Sequence, residues 1–376
     1  MKKMNILFVA SVYRHITAFH IPYIQYFQKK GYTVYAAGTG DEDKKNLEKI
    51  NVTCIDIPFS RSPLNSQNIA AYKQLQQLFL KEKFDLVHVH TPVAALLTRA
   101  AFRKNKHGKM VYTAHGFHFF SGAPMLNWLM YYPAEKLAAK WTDHLITINE
   151  EDFKNAQKLL PKEKISLVHG VGVEIAQHCL TDEEKQKLRA TLNLNNDAII
   201  IAYIAELNGN KNHQFLLRNW RKIKATTPQF ELLIIGTGDK EQQLKTIVAN
   251  EQLEGIHFLG YRRDVPALLQ ISDVVTLLSY REGLPKSIME AMAESIPCIV
   301  ANTRGLRDLV KSNDSGFVVN HSEDTELVKA FSALSEKTLR EKMGLRSKQL
   351  IEPFLLDNVI EEYTKIYSQL VKQVKR

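Results

Sequence analysis

Val274-Val275-Thr276-Leu277-Leu278-Ser279-Tyr280-Arg281-Glu282-Gly283-Leu284-Pro285-Lys286-Ser287-Ile288-Met289-Glu290 reads as one buried strand, one loop and the start of one helix. Pro285 suits a first helical position, and Gly283 lets the backbone come close to a ligand. The free N–H groups of such a first turn face outward as a site for an anion such as a diphosphate. Glu290 then lies about 8 Å further along the axis, within reach of a ribose, while Glu282 stands just outside the helix, facing a sugar. An amphipathic helix with two solvated acids is the alternative reading of the same letters.

The same strand–loop–helix unit recurs on both sides. Short β-branched and aromatic runs at Ile6–Ala10, Thr33–Ala37, Asp85–His90, Lys109–Ala114 and His144–Ile148 alternate with amphipathic segments. The pattern restarts with Ile199–Ile204, Leu232–Ile235, His257–Leu259, Val274–Leu278 and Cys298–Val300. Such alternation predicts parallel sheets covered on both faces, in two similar α/β halves that face one another across a cleft. The halves are placed at residues 1–170 and 171–352, with the charged run Thr181–Arg189 near the join. In open parallel sheets ligands sit beyond the carboxyl ends of the strands, so the loops there are where chemistry is to be sought.

Length and composition narrow the classes. A chain of 376 residues with 45% hydrophobic and 24% charged residues fits two ordinary globular domains. No apolar run reaches the roughly 18 residues of a spanning helix, and Asn5–Ala10 reads as a first strand, not a signal peptide. Three dispersed cysteines fit a reducing cytoplasm and neither a disulfide framework nor a zinc site. The net charge of +10 calls for anionic partners. No basic stripe interleaved with aromatics accompanies it, which points to diphosphates and anionic lipid and away from nucleic acid.

His115 follows the strand Lys109–Ala114 beside Gly116, where it suits a hydrogen bond to a sugar or phosphate; a satisfied structural histidine is the alternative. His88 and His90 share one face of the preceding strand, but no third ligand at suitable spacing follows, so lining or core roles are expected of them. Lys211, in Ala205–His213, stands at a strand-to-helix junction as a point charge for a diphosphate, with a helix beginning near His213; an ordinary surface lysine is the alternative. Gly236 and Gly238 close the next strand, either approaching a ligand or making a turn. Arg262, in Tyr261–Asp264, either abuts a nucleobase or belongs to a helix capped by Asp264. Asp41-Glu42-Asp43, the one Asp-x-Asp match, reads as a solvated loop, so no metal and no cofactor is expected in the chemistry.

Taken in order and spacing, Glu282 with Glu290, the Lys211 loop, Gly236 with Gly238, His115 and Asp273 resemble the retaining glycosyltransferases of family 4. Thr113–Phe119, Asn127–Lys136 and Leu145–Asp152 are similar to the bacterial exopolysaccharide and capsule type. The resemblance implies a GT-B fold of two Rossmann-like domains with parallel sheets facing an interdomain cleft. The donor belongs to the C-terminal domain and the acceptor to the N-terminal one, which a last helix at about 353–376 rejoins. It also implies that Glu290 holds the ribose, Lys211 the diphosphate, Glu282 with the Gly283 and Leu284 amides the sugar and its departing phosphate, and His115 the sugar near the reacting carbon. The chemistry implied is front-face transfer of a hexose or N-acetylhexosamine from a UDP-sugar to a polyprenyl-diphosphate-linked saccharide.

Two departures from the family stand out. Where it commonly has arginine, Glu206 is found, so phosphate binding leans on Lys211 and backbone amides, or Glu206 orders the Asn208–Asn212 loop. Where a glycine pair often follows the first strand, this chain has Ser11–His15. Arg14, His15, His20 and His118 are the acceptor-side candidates, with solvated loop positions the alternative for the first three. Phe102–Lys109 and Met125–Trp141 supply basic and apolar residues for peripheral contact with an anionic inner leaflet, against the alternative of an ordinary buried helix. A UDP-sugar 2-epimerase of the same architecture and a non-catalytic sugar-binding protein are the competing functions.

Overall fold

The computed structural model describes residues 4–175, 178–321 and 323–372. The chain forms two compact units, Met1–Val171 with Asp357–Arg376, and Gly172–Leu356.

In the first unit the strands are β1 (Asn5–Val9), β2 (Thr33–Gly38), β3 (Thr53–Asp56), β4 (Leu86–Val89), β5 (Lys109–Ala114), β6 (His144–Thr147) and β7 (Ile165–Leu167). They make one seven-stranded sheet in the order β3-β2-β1-β4-β5-β6-β7, parallel throughout. Helices cover both faces of a parallel sheet, which is why β4 and β6 are buried at every position even though they carry histidine and threonine. The order reverses between β1 and β4, so the loops leaving those strands diverge and leave a crevice. Ser11 and Thr91 span it with a hydroxyl–hydroxyl bond of 2.9 Å, and Thr91 sits at φ +56°, a region costly for a β-branched residue.

The second unit repeats the plan with β8 (Ile199–Ile204), β9 (Phe230–Ile235), β10 (Ile256–Gly260), β11 (Val274–Leu277), β12 (Cys298–Ala301) and β13 (Gly316–Val319). Its six-stranded parallel sheet runs β10-β9-β8-β11-β12-β13, with the reversal between β8 and β11. The loops leaving these two strands carry Lys211 and Glu282.

Two local expectations, the Asp41–Asp43 loop and the place of Pro285, are corrected. Asp41, Glu42 and Asp43 are not a solvated loop: they form the first turn of helix Asp41–Lys49, where acidic side chains meet the positive end of the helix dipole. The units divide after Val171, one residue from the expected boundary, and within the charged run beyond it Asp182–Thr191 is a helix that opens with a reciprocal Thr181–Glu184 capping box. Pro285 is the N-cap of helix Lys286–Ala293, one residue before the first helical position.

The last helix, Leu356–Lys372, is counted largely with the first unit, and the residues beyond Lys372 lie outside those described. Val359, Tyr363, Ile366, Tyr367 and Leu370 recur at helical spacing and are buried. Tyr367 stacks on Phe27 with ring centroids 5.0 Å apart, Tyr363 meets Tyr23 edge-on at 5.1 Å, and the Tyr367 hydroxyl bonds His88. Glu362 fastens the helix to the end of β7, accepting from the His169 backbone N–H at 3.0 Å and bonding its ring at 2.6 Å.

That bond raises the His169 pKa, against an opposing push from partial burial. A histidine held above its unfolded-state value stabilises the fold while protonated and loses that contribution as pH rises through its folded-state pKa. Glu362→Gln is therefore expected to lower stability at pH 6, by no more than about 1 kcal/mol for a part-exposed pair, and by less at pH 9. Urea unfolding at the two pH values checks this; equal losses at both refute it.

Candidate active site

In the second unit the loops after β8 and β11 are bound edge to edge. The Tyr280 backbone N–H donates to the Asn210 carbonyl at 2.9 Å, and the Asn210 side-chain amide donates to the Arg281 carbonyl at 3.0 Å. Beneath them the Tyr203 hydroxyl accepts from the Leu278 N–H at 2.9 Å and donates to the Lys211 carbonyl. One fully buried phenol thus fixes both loops, and burial holds it protonated by raising its pKa. His213 opens the next helix and stacks on Tyr203 at 4.1 Å, its pKa lowered to about 3 by burial.

This arrangement brings Lys211 Nζ to 2.5 Å from Glu282 Oε1, with side chains 21% and 10% exposed. Such shielding strengthens the attraction over that of a surface pair. Asn208 caps the short turn Gly209–Lys211 by accepting from the Lys211 N–H at 3.1 Å, and its amide donates to Glu206 Oε2 at 3.0 Å. Glu206 is therefore tied into the Lys211 loop. Gly236 and Gly238 press against the same loop: a β-carbon would lie 2.0 Å from the Ala205 carbonyl oxygen at the first and 2.3 Å from that of Leu207 at the second.

A third loop, after β12, was not singled out in the sequence. Thr303 donates to the Ser279 carbonyl at 2.8 Å, and the buried Arg304 donates through Nε to the Glu282 carbonyl at 3.2 Å. Gly305, at φ +76°, packs so closely that a β-carbon would fall 2.0 Å from the Gly283 carbonyl oxygen. Thr-Arg-Gly after a predicted strand was the available signal.

Beside the helix mouth lies a cavity of about 540 Å³ lined by Arg263, Asp264, Pro266, Lys286, Glu290 and Glu294, among others. Its size is in the range of small-ligand sites. Burial raises the Glu290 pKa, and Lys286 Nζ, 3.5 Å from the carboxylate, pulls it back. Arg262 spends its guanidinium on Asp264, with bonds of 2.8 and 2.6 Å that hold the Asp264 carboxyl below its usual pKa. Asp264 stands at the N-cap position of helix Val265–Gln270 but makes no side-chain cap bond, so the capping alternative is not realised, and Arg263 rather than Arg262 lines the cavity.

In the first unit four histidines converge. His115 leaves β5, His90 leaves β4, His15 sits on helix Tyr13–Phe19 and His20 ends it. His115 Nε2 lies 3.4 Å from His15 Nε2 and 3.1 Å from His90 Nδ1. Burial lowers every one of these pKa values, that of His15 to about 4 with Arg61 adding to the effect. His88 is separately satisfied by Thr113, at 2.7 Å, and Tyr367. His88 and His90 are buried, as lining or core roles require, yet His90 also acquires further potential ligands, because the ends of β1, β4 and β5 are neighbours in space. Of the two readings of His15 and His20, the solvated loop falls, since both belong to a packed helical segment. Arg14 is exposed. His118 stacks on Tyr131 at 4.5 Å and lines, with Ser11, His15, Arg61 and Thr91, a crevice of about 280 Å³ at the reversal of strand order.

Helix Met125–Ala139 is not an ordinary buried helix. Met125, Leu126, Leu129, Met130 and Leu137 are all exposed, while the opposite side buries Glu135, held by Arg99 at 2.8 Å and the Tyr112 hydroxyl at 3.1 Å. No helix among the described residues is long and apolar enough to cross a membrane.

Residues 184–350 match the family described as Glycosyl transferases group 1, and residues 5–149 the one described as Glycosyl transferase 4-like. A putative glycosyltransferase EpsD of Bacillus subtilis is 36% identical over 370 residues, covering 97% of this chain and 96% of its own. The UDP-Gal:alpha-D-GlcNAc-diphosphoundecaprenol alpha-1,3-galactosyltransferase of Escherichia coli is 28% identical, covering 82% and 83%. The capsular polysaccharide biosynthesis glycosyltransferase CapM of Staphylococcus aureus is 23% identical, covering 93% of each. Among solved structures, Anabaena HepE in complex with UDP and glucose superposes with a TM-score of 0.81 at 19% identity, covering 98% of this chain and all of that one. That likeness fixes the architecture as GT-B. The chain belongs to the group 1, family 4-like glycosyltransferases, and within them to the bacterial exopolysaccharide and capsule type.

Proposed function

We propose that the protein transfers a hexose or N-acetylhexosamine, with retention of anomeric configuration, from a UDP-sugar to a polyprenyl-diphosphate-linked saccharide. The observation that carries this reading is the partly buried Lys211–Glu282 pair at the mouth of helix Lys286–Ala293, beside the cavity that Glu290 lines. A diphosphate there takes the Lys211 ammonium and the first-turn N–H groups, and Glu282 turns to the sugar. The bond from the anomeric carbon to the phosphate oxygen breaks, the acceptor oxygen attacks from the same face, and its proton passes to the departing phosphate. Charge growing on that phosphate is stabilised by groups already in position, the usual source of the largest rate term. Lys211 and the helix mouth supply the positive field, so no metal is assigned to this step. His115 is assigned to the sugar near the reacting carbon, Glu290 to the ribose.

Support for the acceptor class comes from the first unit. The polar crevice of Ser11, His15, Arg61 and His118 shares Pro63, Pro92, Val93 and Tyr131 with an apolar groove that continues to Leu97 and Met130. Beyond it lie the exposed Leu64, Met125, Leu126 and Leu129. A diphosphate head followed by an isoprenoid chain has that sequence of chemistries. The Escherichia coli relative is named for a diphosphoundecaprenol acceptor, and one from Campylobacter jejuni, 22% identical, for another. The protein is assigned to the inner face of the cell membrane, with Arg103, Lys104, Lys106 and Lys136 facing anionic lipid.

Glu290→Ala is expected chiefly to weaken UDP-sugar binding, Lys211→Ala to lower both binding and turnover by on the order of 100-fold, and His115→Ala to reduce turnover most. UDP release with a lipid-linked acceptor, alongside thermal protection by a panel of nucleotide-sugars, checks all three; wild-type values remove the assignment, and interconversion of free nucleotide-sugars without acceptor replaces the reaction. Gly305→Ala, which forces a β-carbon against the Gly283 carbonyl, is expected to cost on the order of 2 kcal/mol in urea unfolding and to abolish protection by UDP-sugar. Unchanged protection would mean that the Glu282 loop is not held from behind. Flotation with anionic liposomes is expected at low salt and to be lost at about 1 M salt for an electrostatic dock, with zwitterionic liposomes leaving the protein unbound throughout.

A further inference from the structure

We propose that His15, His90 and His115, with His20 as a fourth ring, form a binding site for one first-row transition-metal ion, Zn²⁺ by preference. Each of the four offers a ring nitrogen, and these atoms all lie within 4.8 Å of one another. The two spacings made by His115 Nε2 come close to those of a coordination shell. Tetrahedral zinc with nitrogen ligands at about 2.0–2.1 Å sets neighbouring donors about 3.3–3.4 Å apart. His115 Nε2 lies 3.4 Å from His15 Nε2 and 3.1 Å from His90 Nδ1.

Hydrogen bonding alone accounts poorly for this arrangement. A ring nitrogen of a neutral imidazole carries either one N–H or one lone pair, so His115 Nε2 has a single good bond to share between two flanking nitrogens. His20 Nε2 is moreover buried without a hydrogen-bond partner among the described residues. Rings so placed have lone pairs to spare, and a cation is what gathers several lone pairs at one point.

The donor set also selects the ion. Four imidazoles and no carboxylate suit zinc, copper, nickel or cobalt; magnesium and calcium want oxygen. His15 and His115 are only half-buried, and His15 opens onto the crevice that also holds Arg61, so an anion following the ion has a route and a counter-charge. The site belongs wholly to the first unit, whereas the diphosphate chemistry proposed above uses Lys211 and Glu282 of the second. The ion is therefore assigned no part in that step. Its coordination would instead occupy His115 Nε2, so metal and sugar compete for one nitrogen.

The test is a metal titration of the full chain, freed of purification tags. Co²⁺ is expected to bind at one equivalent with visible bands of tetrahedral nitrogen ligation, and Zn²⁺ to displace it, while Mg²⁺ does neither. His15→Gln and His115→Gln, both half-buried and so tolerant of change, are each expected to weaken binding by more than about 100-fold with far-ultraviolet dichroism unchanged. His107→Gln, before the start of β5 where His115 follows its end, is expected to leave stoichiometry and spectrum intact. Octahedral cobalt spectra, binding that survives both ring substitutions, or no saturable binding would each overturn the site.

Discussion

Two backbone loops of the second unit are held at one spacing by a single buried phenol, and the proposed donor chemistry depends on that spacing. Tyr203 accepts from the Leu278 amide and donates to the Lys211 carbonyl, so the ends of β8 and β11 cannot separate without leaving a buried hydroxyl unpaired. The Lys211–Glu282 pair is a consequence. A partly buried ion pair is weak grounds for stability, because desolvation offsets much of the attraction. Its worth here is positional: the Lys211 ammonium is held at one place, so the proposed diphosphate would exchange one anionic partner for another instead of ordering a free side chain.

Glu206 shows how the same site tolerates a change of charge. Where a family arginine would add a second cation, this chain has a carboxylate two residues from Asn208, which it binds at 3.0 Å while Asn208 caps the turn carrying Lys211. The local positive field therefore rests on Lys211, on the amides of the Lys286–Ala293 helix and on whatever Arg304 contributes from behind the Glu282 carbonyl. Gly236, Gly238 and Gly305 serve the same end from the opposite direction. Their missing side chains let three neighbouring loops meet backbone to backbone.

Much of the fold was legible because parallel strands buried on both faces write themselves as continuous apolar runs, and each run here ends in a loop with chemistry. What periodicity could not carry was adjacency. Strand order reverses between β1 and β4 and between β8 and β11, and only that reversal makes Ser11 a neighbour of Thr91, or Asn210 of Arg281. The histidine group is illegible for the same reason: no ligand follows His90 at motif spacing, because its partners come from positions 15, 20 and 115 on other elements. Asp41–Asp43 was misread for a different reason, since three acids look like a solvated loop unless the dipole of the helix they begin is weighed. At Arg262 and Arg263 sequence shows that both are basic but not which one a neighbouring aspartate will claim.

The two units solve opposite electrostatic problems with one topology. At the β8/β11 reversal a lysine and a glutamate pair at 2.5 Å beside a helix mouth. At the β1/β4 reversal burial strips the charge from imidazoles, leaving neutral donors and acceptors beside a crevice whose cation is Arg61. Neutral rings can accept a hydrogen bond from a sugar hydroxyl without holding a proton that would compete with the acceptor's own. For a transfer in which that proton goes to the departing phosphate, a histidine that stays neutral across the physiological range is the better neighbour. Burial beside rings such as Phe19, 6.4 Å from His115 between centroids, is what keeps it so.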